Sequence, residues 1–252
     1  MPWDPEQYRK FAAQRLLPFD DLFSLIKVRE GLSVVDLGCG TGELTCLLAS
    51  RLPGSSVVGI DSSDEMLEQA RSRNCPGVSF RRCEVEAAAG SWDLVFSNAV
   101  LHWVEDHHRL LPRLFGLLRP GGQIALQIPS NNASPSHTAI IDTAREEPFR
   151  SALQGWYRQH PVLEIDRYAR LLHDAGGVGA TVFEKVYLHV LPNAEAVAEW
   201  TRGTTLVPYL ERLPENLHEP FLDAYREKLR SVWPETPVLY TFRRIFISAF
   251  RP

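Results

Sequence analysis

The chain has 252 residues and a mass of 28.5 kDa, the size of one large domain or of one domain with an added cap. Hydrophobic residues make up 44% and charged residues 23%, so the composition excludes collagen-like chains, largely disordered chains and small disulfide scaffolds. The net charge of −4 argues against a nucleic acid partner, because proteins that bind polyanions carry basic surfaces.

From residue 33 to residue 128, short apolar runs alternate with amphipathic segments. The apolar runs predict five strands, at residues 33–37, 57–61, 78–83, 92–97 and 123–128. The amphipathic segments predict helices at residues 43–51, 64–73 and 106–118, and either Ser62 or Ser63 caps the second. Pro120-Gly121-Gly122 predicts a turn before the fifth strand. Strands that alternate with helices form βαβ units, so this half of the chain predicts a parallel sheet.

The second half of the chain is punctuated by proline. It predicts a helix at 164–175 that ends at Gly176-Gly177, strands at 180–191 and 238–250, and three short helices over 193–233. We expect the two late strands to complete the sheet as a hairpin-like pair. Residues 1–252 then form one domain with a core at about 30–129. The segments 130–163 and 193–235 are expected to be cap insertions.

Cysteine and histidine spacing predicts no metal site. The four cysteines are too irregularly spaced for a zinc site or a disulfide framework; they are Cys39, Cys46, Cys75 and Cys83. We therefore expect reduced cysteines in a cytoplasmic protein. His107 and His108 are expected to be exposed to solvent. The N-terminal residues do not form a signal-peptide pattern, and no apolar stretch approaches the ~18 residues of a membrane span.

The glycine-rich segment Asp36-Leu37-Gly38-Cys39-Gly40-Thr41-Gly42 lies between the first strand and its helix. Glycine permits a tight turn and a close approach of the backbone to a ligand. Asp61 ends the next strand, 19 residues after Gly42, where a carboxylate can reach the hydroxyls of a ribose. Asp36 would repel a pyrophosphate but suits an ammonium group or a positively charged sulfur. The segment therefore predicts a site for an adenosine-containing cofactor, so that the core at about 30–129 is expected to be cofactor-binding.

This order of acids and glycines resembles the class I methyltransferases that bind S-adenosylmethionine. Glu84 stands where these enzymes carry an Asp that faces the adenine, Ser91 to Ala99 resembles their fourth-strand motif, and Leu118 to Gly122 resembles their next turn. The resemblance implies a Rossmann-like α/β fold: a seven-stranded, mostly parallel sheet with its last strand antiparallel, flanked by helices. It implies S-adenosyl-L-methionine as cofactor and S-adenosyl-L-homocysteine as product. The implied cofactor-binding residues are Asp36, Leu37, Gly38, Cys39, Gly40, Gly42, Asp61, Ser62, Met66, Glu84, Val85, Asn98 and Ala99.

The flanking segments resemble the trans-aconitate 2-methyltransferase family nearly from end to end. The segments that carry this resemblance are Trp3-Asp4-Pro5, Leu101-His102-Trp103, Pro208-Tyr209-Leu210 and Phe242 to Ile247. The resemblance implies methylation of one carboxylate of a small polycarboxylic acid, giving a monomethyl ester, under a helical cap. One departure is Val207, where members of the family carry an arginine.

A carboxylate acceptor is already ionised at neutral pH, so the sequence assigns no catalytic residue. Arginine binds carboxylates through two points, and Arg244 is the preferred candidate, with Arg202, Arg158 and Arg243 behind it. The predicted substrate-binding residues are Trp3, Tyr8, His102, Trp103, Arg202 and Arg244. We expect a small acidic molecule as partner, neither nucleic acid nor membrane, and the sequence is compatible with a monomer.

Two alternatives stay open at this point. The same fold could methylate a hydroxyl, an amine or a carrier-bound carboxylate, and a hydroxyl or amine would need a base, for which His102 is the candidate. The glycine loop could also belong to a dehydrogenase or to a binding module without catalytic activity.

Overall fold

The computed structural model describes the backbone from Ala12 to Pro252 and the side chains from Leu16 onward. Trp3 and Tyr8, two of the predicted substrate-binding residues, lie outside the described residues. The strands are β1 Ser33–Leu37, β2 Ser56–Asp61, β3 Val78–Arg82, β4 Trp92–Asn98, β5 Leu118–Pro129, β6 Val178–Leu191 and β7 Val238–Phe250. The helices are α1 Ala12–Phe23, α2 Glu43–Ser50, α3 Asp64–Arg71, α4 His107–Gly116, α5 Pro135–Ala144, α6 Phe149–Ala152, α7 Ile165–Asp174, α8 Ala194–Arg202, α9 Val207–Arg212 and α10 His218–Val232.

The seven strands form one sheet in the order β3-β2-β1-β4-β5-β7-β6. Strand β1 pairs in parallel with β2 and β4, β2 with β3, and β4 with β5, while β7 runs antiparallel to β5. The predicted mostly parallel sheet with an antiparallel last strand is confirmed. The strand order reverses between β1 and β4, and in such sheets the crevice at the carboxyl ends of these strands is where ligands bind.

One prediction about local structure needs correction. Strand β5 begins at Leu118 rather than Gln123, because the predicted turn lies inside an irregular stretch of the strand: Gly121 has a φ of +75°, yet its N–H donates to Arg251 O at 2.8 Å. The segment 130–163, for which the sequence predicts a cap insertion without individual helices, contains helices α5 and α6. Helix α5 begins at Pro135, a position where proline costs no hydrogen bond.

The prediction that all four cysteines are reduced is wrong. Cys46, on α2, and Cys75, between α3 and β3, form a disulfide, while Cys39 and Cys83 are free. The two bonded cysteines are 29 residues apart in sequence, but their Cα atoms are 5.7 Å apart. Spacing along the chain does not reveal this pair, because the crossover from β2 to β3 brings the two segments together.

The chain divides into two compact units. The sheet unit contains residues 15–130, 161–185 and 244–252, and the helical unit contains residues 131–160 and 186–243. One face of the sheet packs on α4 and α7, through a core that includes Leu114, Tyr168, Leu172, Ile124 and Ile247. On the opposite face the Phe19 ring of α1 meets the Phe96 ring edge to face, at 5.9 Å between centroids.

The helical unit has its own apolar core. Long helix α10 contributes Phe221, Tyr225 and Leu229, which are buried with residues of α5, α8 and α9. The ring of Tyr209 stacks on that of Phe221 at 5.8 Å between centroids. The division into one domain with cap insertions stays a prediction.

Candidate functional site

The predicted cofactor residues lie on four segments that follow β1, β2, β3 and β4. Because these strands are parallel neighbours, their carboxyl ends meet at one edge of the sheet. The segment after β1 is tied to β2, since the N–H groups of Gly38 and Cys39 both donate to Ile60 O, at 2.8 and 2.9 Å. Backbone hydrogen bonds thus fix the start of the glycine loop.

The three glycines of this loop serve different purposes. A Cβ on Gly38 would lie 2.3 Å from a methyl of Val100, and one on Gly42 would lie 2.6 Å from the ring of Phe80. A Cβ on Gly40 would meet nothing within 4 Å, although the φ of +53° disfavours a side chain there. Gly38 and Gly42 therefore allow the loop to pack on the sheet unit, while Gly40 presents bare backbone to open space, as close approach of a ligand requires.

Asp61 is held in place by two backbone amides. Its Oδ2 accepts from Gly40 N–H and its Oδ1 from Ser63 N–H, both at 2.9 Å. Ser63 in turn caps α3, because its Oγ accepts from Met66 N–H. Each carboxylate oxygen keeps a lone pair for a further donor, such as a ribose hydroxyl. Of the two other predicted cofactor residues in this segment, Ser62 is exposed and Met66 is half-buried.

Asp36 is buried at 3% exposure, and its Oδ2 accepts from the Thr45 hydroxyl at 2.6 Å. Burial raises the pKa of Asp36 from 3.8 to about 7, the Thr45 hydrogen bond opposes the rise, and the charge of Asp61 adds to it. A positive charge bound nearby would reverse this effect. Burial, with the charges of Asp36 and Asp61, also raises the pKa of the Cys39 thiol, so Cys39 is no nucleophile at neutral pH.

The ends of β3 and β4 supply the remaining candidates. Glu84 is exposed and precedes a 3₁₀ turn whose first residue, Val85, is buried. Asn98 ends β4, and its buried Oδ1 has no hydrogen-bond partner in the part of the chain that the structure describes. The next residue, Ala99, has a left-handed φ of +59°. Unsatisfied polar atoms and backbone strain of this kind concentrate at functional sites.

Arg244, on β7, is 8% exposed and is the one buried arginine among the described residues. Its Nη1 donates to Gln127 Oε1 at 2.9 Å. His102 and Trp103 lie together on a 3₁₀ turn, with ring centroids 4.9 Å apart. All four residues belong to the sheet unit. Gln127 was not among the predicted site residues, although a glutamine inside the apolar strand Ile124 to Ile128 was the available signal.

The other arginine candidates belong to the helical unit. Arg202 ends α8 with its side chain 43% exposed, near the carboxylates of Glu199 and Glu219 at 3.8 and 3.9 Å. Arg158 is half-buried and Arg243 exposed. Val207, the departure from the family pattern, is the first residue of α9.

The prediction that His107 is exposed is wrong, while His108 is exposed as predicted. His107 is 2% exposed, with Nε2 at 2.9 Å from Leu101 O and Nδ1 hydrogen-bonded to the Tyr168 hydroxyl. A carbonyl oxygen only accepts, so Nε2 bears the proton and Nδ1 accepts from Tyr168. His107 therefore holds the turn that carries His102 and Trp103.

Residues 12–252 hold no group of three or more histidine, cysteine, aspartate or glutamate side chains arranged around a metal position. None of the helices in that range combines the length and the apolar character that crossing a bilayer requires.

Comparison with known proteins gives consistent matches. A family model described as a methyltransferase domain matches residues 35–126. A protein of Deinococcus radiodurans named trans-aconitate 2-methyltransferase is 45% identical over 100% of this chain and 99% of its own length. A protein of that name from Azoarcus sp. is 39% identical over 99% of both chains. A solved S-adenosylmethionine-dependent methyltransferase from Mesorhizobium loti has a TM-score of 0.52 and 20% identity, covering 92% of this chain and 96% of that one.

Proposed function

The chain belongs to the methyltransferase family of the trans-aconitate 2-methyltransferases, and on this premise we propose that it methylates a carboxylate of trans-aconitate or a closely related small polycarboxylic acid. S-adenosylmethionine is the methyl donor, and the products are a monomethyl ester and S-adenosylhomocysteine. The observation that carries the proposal is the 45% identity to a relative of that name over the full length of both chains.

The residues after β1 to β4 fit S-adenosylmethionine. The donor contains a ribose, for which Asp61 offers fixed carboxylate oxygens. It also carries a positive charge, which would stabilise the ionised form of the buried Asp36 carboxyl. It also needs close approach to the loop, which Gly40 leaves open. We propose that Asp36 to Gly42 hold its amino acid part, that Asp61, Ser62 and Met66 hold its ribose, and that Glu84 and Val85 face its adenine. When bound, the donor supplies a methyl group on a positively charged sulfur, a good leaving group.

The chain's own contribution to the reaction is orientation. The acceptor carboxylate is ionised at neutral pH, so no side chain needs to remove a proton. Holding the two reactants in line can lower the barrier by as much as ~7–11 kcal/mol. We propose that Arg244 anchors the acid, because a buried guanidinium forms strong two-point hydrogen bonds to carboxylates. His102, Trp103 and Arg202 are further proposed contacts of the acid, with no proton-transfer role.

A methyl-transfer screen tests the proposal. Purified protein and labelled S-adenosylmethionine are incubated with di- and tricarboxylic acids that include trans-aconitate, and ester formation and S-adenosylhomocysteine release are measured. We expect esterification of trans-aconitate or of a close relative. Activity on neutral acceptors alone would contradict the proposal. Calorimetry with S-adenosylhomocysteine and with NAD addresses the dehydrogenase alternative, which predicts tight NAD binding.

A cytoplasmic location and the exclusion of nucleic acid as a partner are proposals from the sequence. The sequence is compatible with a monomer and leaves the oligomeric state open, and light scattering on the purified protein measures it.

A further inference from the structure

The side chain of Gln127 is fully buried on β5, with 0% of the residue exposed. Its Oε1 accepts a hydrogen bond from Arg244 Nη1 at 2.9 Å. A guanidinium only donates hydrogen bonds, so the amide oxygen must face Arg244 and the NH₂ group must point elsewhere. The orientation of this amide is thus fixed by its partner.

The NH₂ group of Gln127 has no hydrogen-bond partner within the described residues. Burying an amide donor in this way costs free energy, so such groups in folded proteins usually meet a ligand or an ordered water. On the adjacent strand, the register partner of Gln127 is Asn98, whose Oδ1 is likewise buried without a partner in the described chain. One unsatisfied donor, Gln127 Nε2, and one unsatisfied acceptor, Asn98 Oδ1, therefore belong to paired residues at the carboxyl ends of β4 and β5.

Strand register places Arg244 on the same face of the sheet as Gln127. Gln127 pairs with Phe246, and Arg244 is two residues from Phe246 on β7. Side chains alternate between faces along a strand, so those of Gln127 and Arg244 point to one side. That side presents a positively charged guanidinium and an unsatisfied amide donor next to each other.

Two neighbouring donors, one of them charged, favour an anionic oxygen ligand over a cation. We propose that Gln127 is a specificity-determining residue of the acceptor site: its NH₂ group donates to a carboxylate of the acid while its Oε1 orients Arg244 toward the same acid. This inference rests on the proposed function, since it concerns the acid that the enzyme methylates.

Gln127→Glu is the sharpest test. The side chain keeps its shape and an acceptor for Arg244, but the donor is replaced by a negatively charged oxygen that repels the acid. We expect kcat/KM for the carboxylic acid to fall on the order of 100-fold, mainly through a higher KM. A carboxylate of the acid would then face a carboxylate oxygen in place of a hydrogen-bond donor, and sites that hydrogen-bond a substrate discriminate strongly against such a mismatch. The affinity for S-adenosylhomocysteine should stay within about twofold of wild type, which also reports that the fold is intact.

Gln127→Leu and Gln123→Leu form a matched pair. Gln123 lies on the same strand and face and is also buried, but its amide is fully used: Oε1 accepts from Lys27 N–H, and Nε2 donates to Leu25 O and Ser248 Oγ. Both changes remove a buried amide from β5. We expect only Gln127→Leu to raise KM for the acid, whereas Gln123→Leu lowers the melting temperature and leaves KM unchanged.

The outcomes separate the two proposals. If the wild-type enzyme esterifies di- or tricarboxylic acids and Gln127→Glu and Gln127→Leu keep the wild-type KM, the role of Gln127 is overturned and the proposed function stands. If the wild-type enzyme esterifies no such acid, the proposed function itself fails. Should both variants misfold, the side-chain amide signal of Gln127 in ¹⁵N-labelled wild-type protein decides: the acid, added with S-adenosylhomocysteine, must shift it, and an unchanged signal refutes the role.

Discussion

Asp36 is a buried carboxyl group whose pKa lies near the pH of the cell. Its pKa is higher in the folded chain than in the unfolded chain, so ionisation opposes folding. The free energy of unfolding should fall as the pH rises from about 4 to about 7, and the loss is complete above that range. A cation bound beside Asp36 would favour the ionised form and so remove this penalty.

We therefore predict proton-linked cofactor binding. Between pH 6 and pH 8 the ionised fraction of Asp36 rises about tenfold, so the affinity for S-adenosylmethionine should rise by a similar factor. Titration calorimetry in buffers of different ionisation enthalpy should record proton release near pH 6. Asp36→Asn should bind more weakly and without this pH dependence. Equal wild-type affinity at pH 6 and pH 8 would argue against a cation at Asp36.

His107 stabilises the turn from Leu101 to Trp103 through two buried hydrogen bonds. Replacing it with Phe leaves the Leu101 carbonyl and the Tyr168 hydroxyl without these partners. We predict a loss of about 1–3 kcal/mol in the free energy of unfolding, measured by chemical denaturation. The neighbouring His108→Phe is the control, because His108 is exposed and should change stability by less than about 0.5 kcal/mol. Equal effects of the two changes would refute the supporting role.

The His102→Ala variant distinguishes a carboxylate acceptor from a hydroxyl or amine acceptor. If the acceptor is a carboxylate, His102→Ala should leave the shape of the kcat/KM profile between pH 6 and pH 8 unchanged, although KM can rise through lost contacts. A base role would instead appear as loss of an inflection from the pH profile of kcat/KM. Loss of that inflection in the variant would favour the hydroxyl or amine alternative.

The loop between β1 and α2 must pack closely against Phe80 and must also leave room for a ligand to approach its backbone. A Cβ on Gly42 would strike the Phe80 ring, whereas one on Gly40 would enter open space. We predict that Gly40→Ala folds, with a backbone penalty of about 1–2 kcal/mol, but binds S-adenosylhomocysteine far more weakly. Gly42→Ala should lower the melting temperature more than Gly40→Ala does. Wild-type affinity in Gly40→Ala would show that the ligand does not approach this residue.

The disulfide between Cys46 and Cys75 connects α2 to the segment before β3. It closes a loop of about 30 residues, so its loss should cost roughly 3–4 kcal/mol on the chain-entropy view of cross-links. Denaturation of the Cys46→Ser/Cys75→Ser protein against wild type measures this, and reduced wild type should match the variant. The Cys83→Ser variant controls for loss of a thiol, since Cys83 is free. Unchanged stability on reduction would contradict the expectation.

For the molecule as a whole, the features predicted correctly are those that local patterns encode. The apolar run Ser33 to Leu37 predicts β1, and its alternation with helical segments predicts the mostly parallel sheet, from patterns that span about 30 residues of sequence. The cofactor roles of the glycines that follow β1 and of Asp61 stay predictions. The features that were missed depend on residues far apart in the chain. The Gln127–Arg244 bond spans 117 positions and requires β7 to insert beside β5, and the burial of His107 requires α7 to supply Tyr168.

The position of β7 also constrains how the chain is made. Strand β7 follows β6 in the sequence but lies between β5 and β6 in the sheet. During synthesis, β6 therefore leaves the ribosome before β7, the strand that it pairs with, has been made. The backbone N–H and C=O groups on the outer edge of β5 also stay unpaired until residues 238–250 emerge. An unpaired edge of this kind is a template for wrong strand pairing. A nascent chain paused between these two strands should thus depend on chaperones, and the last strand to be translated is the one that closes the sheet.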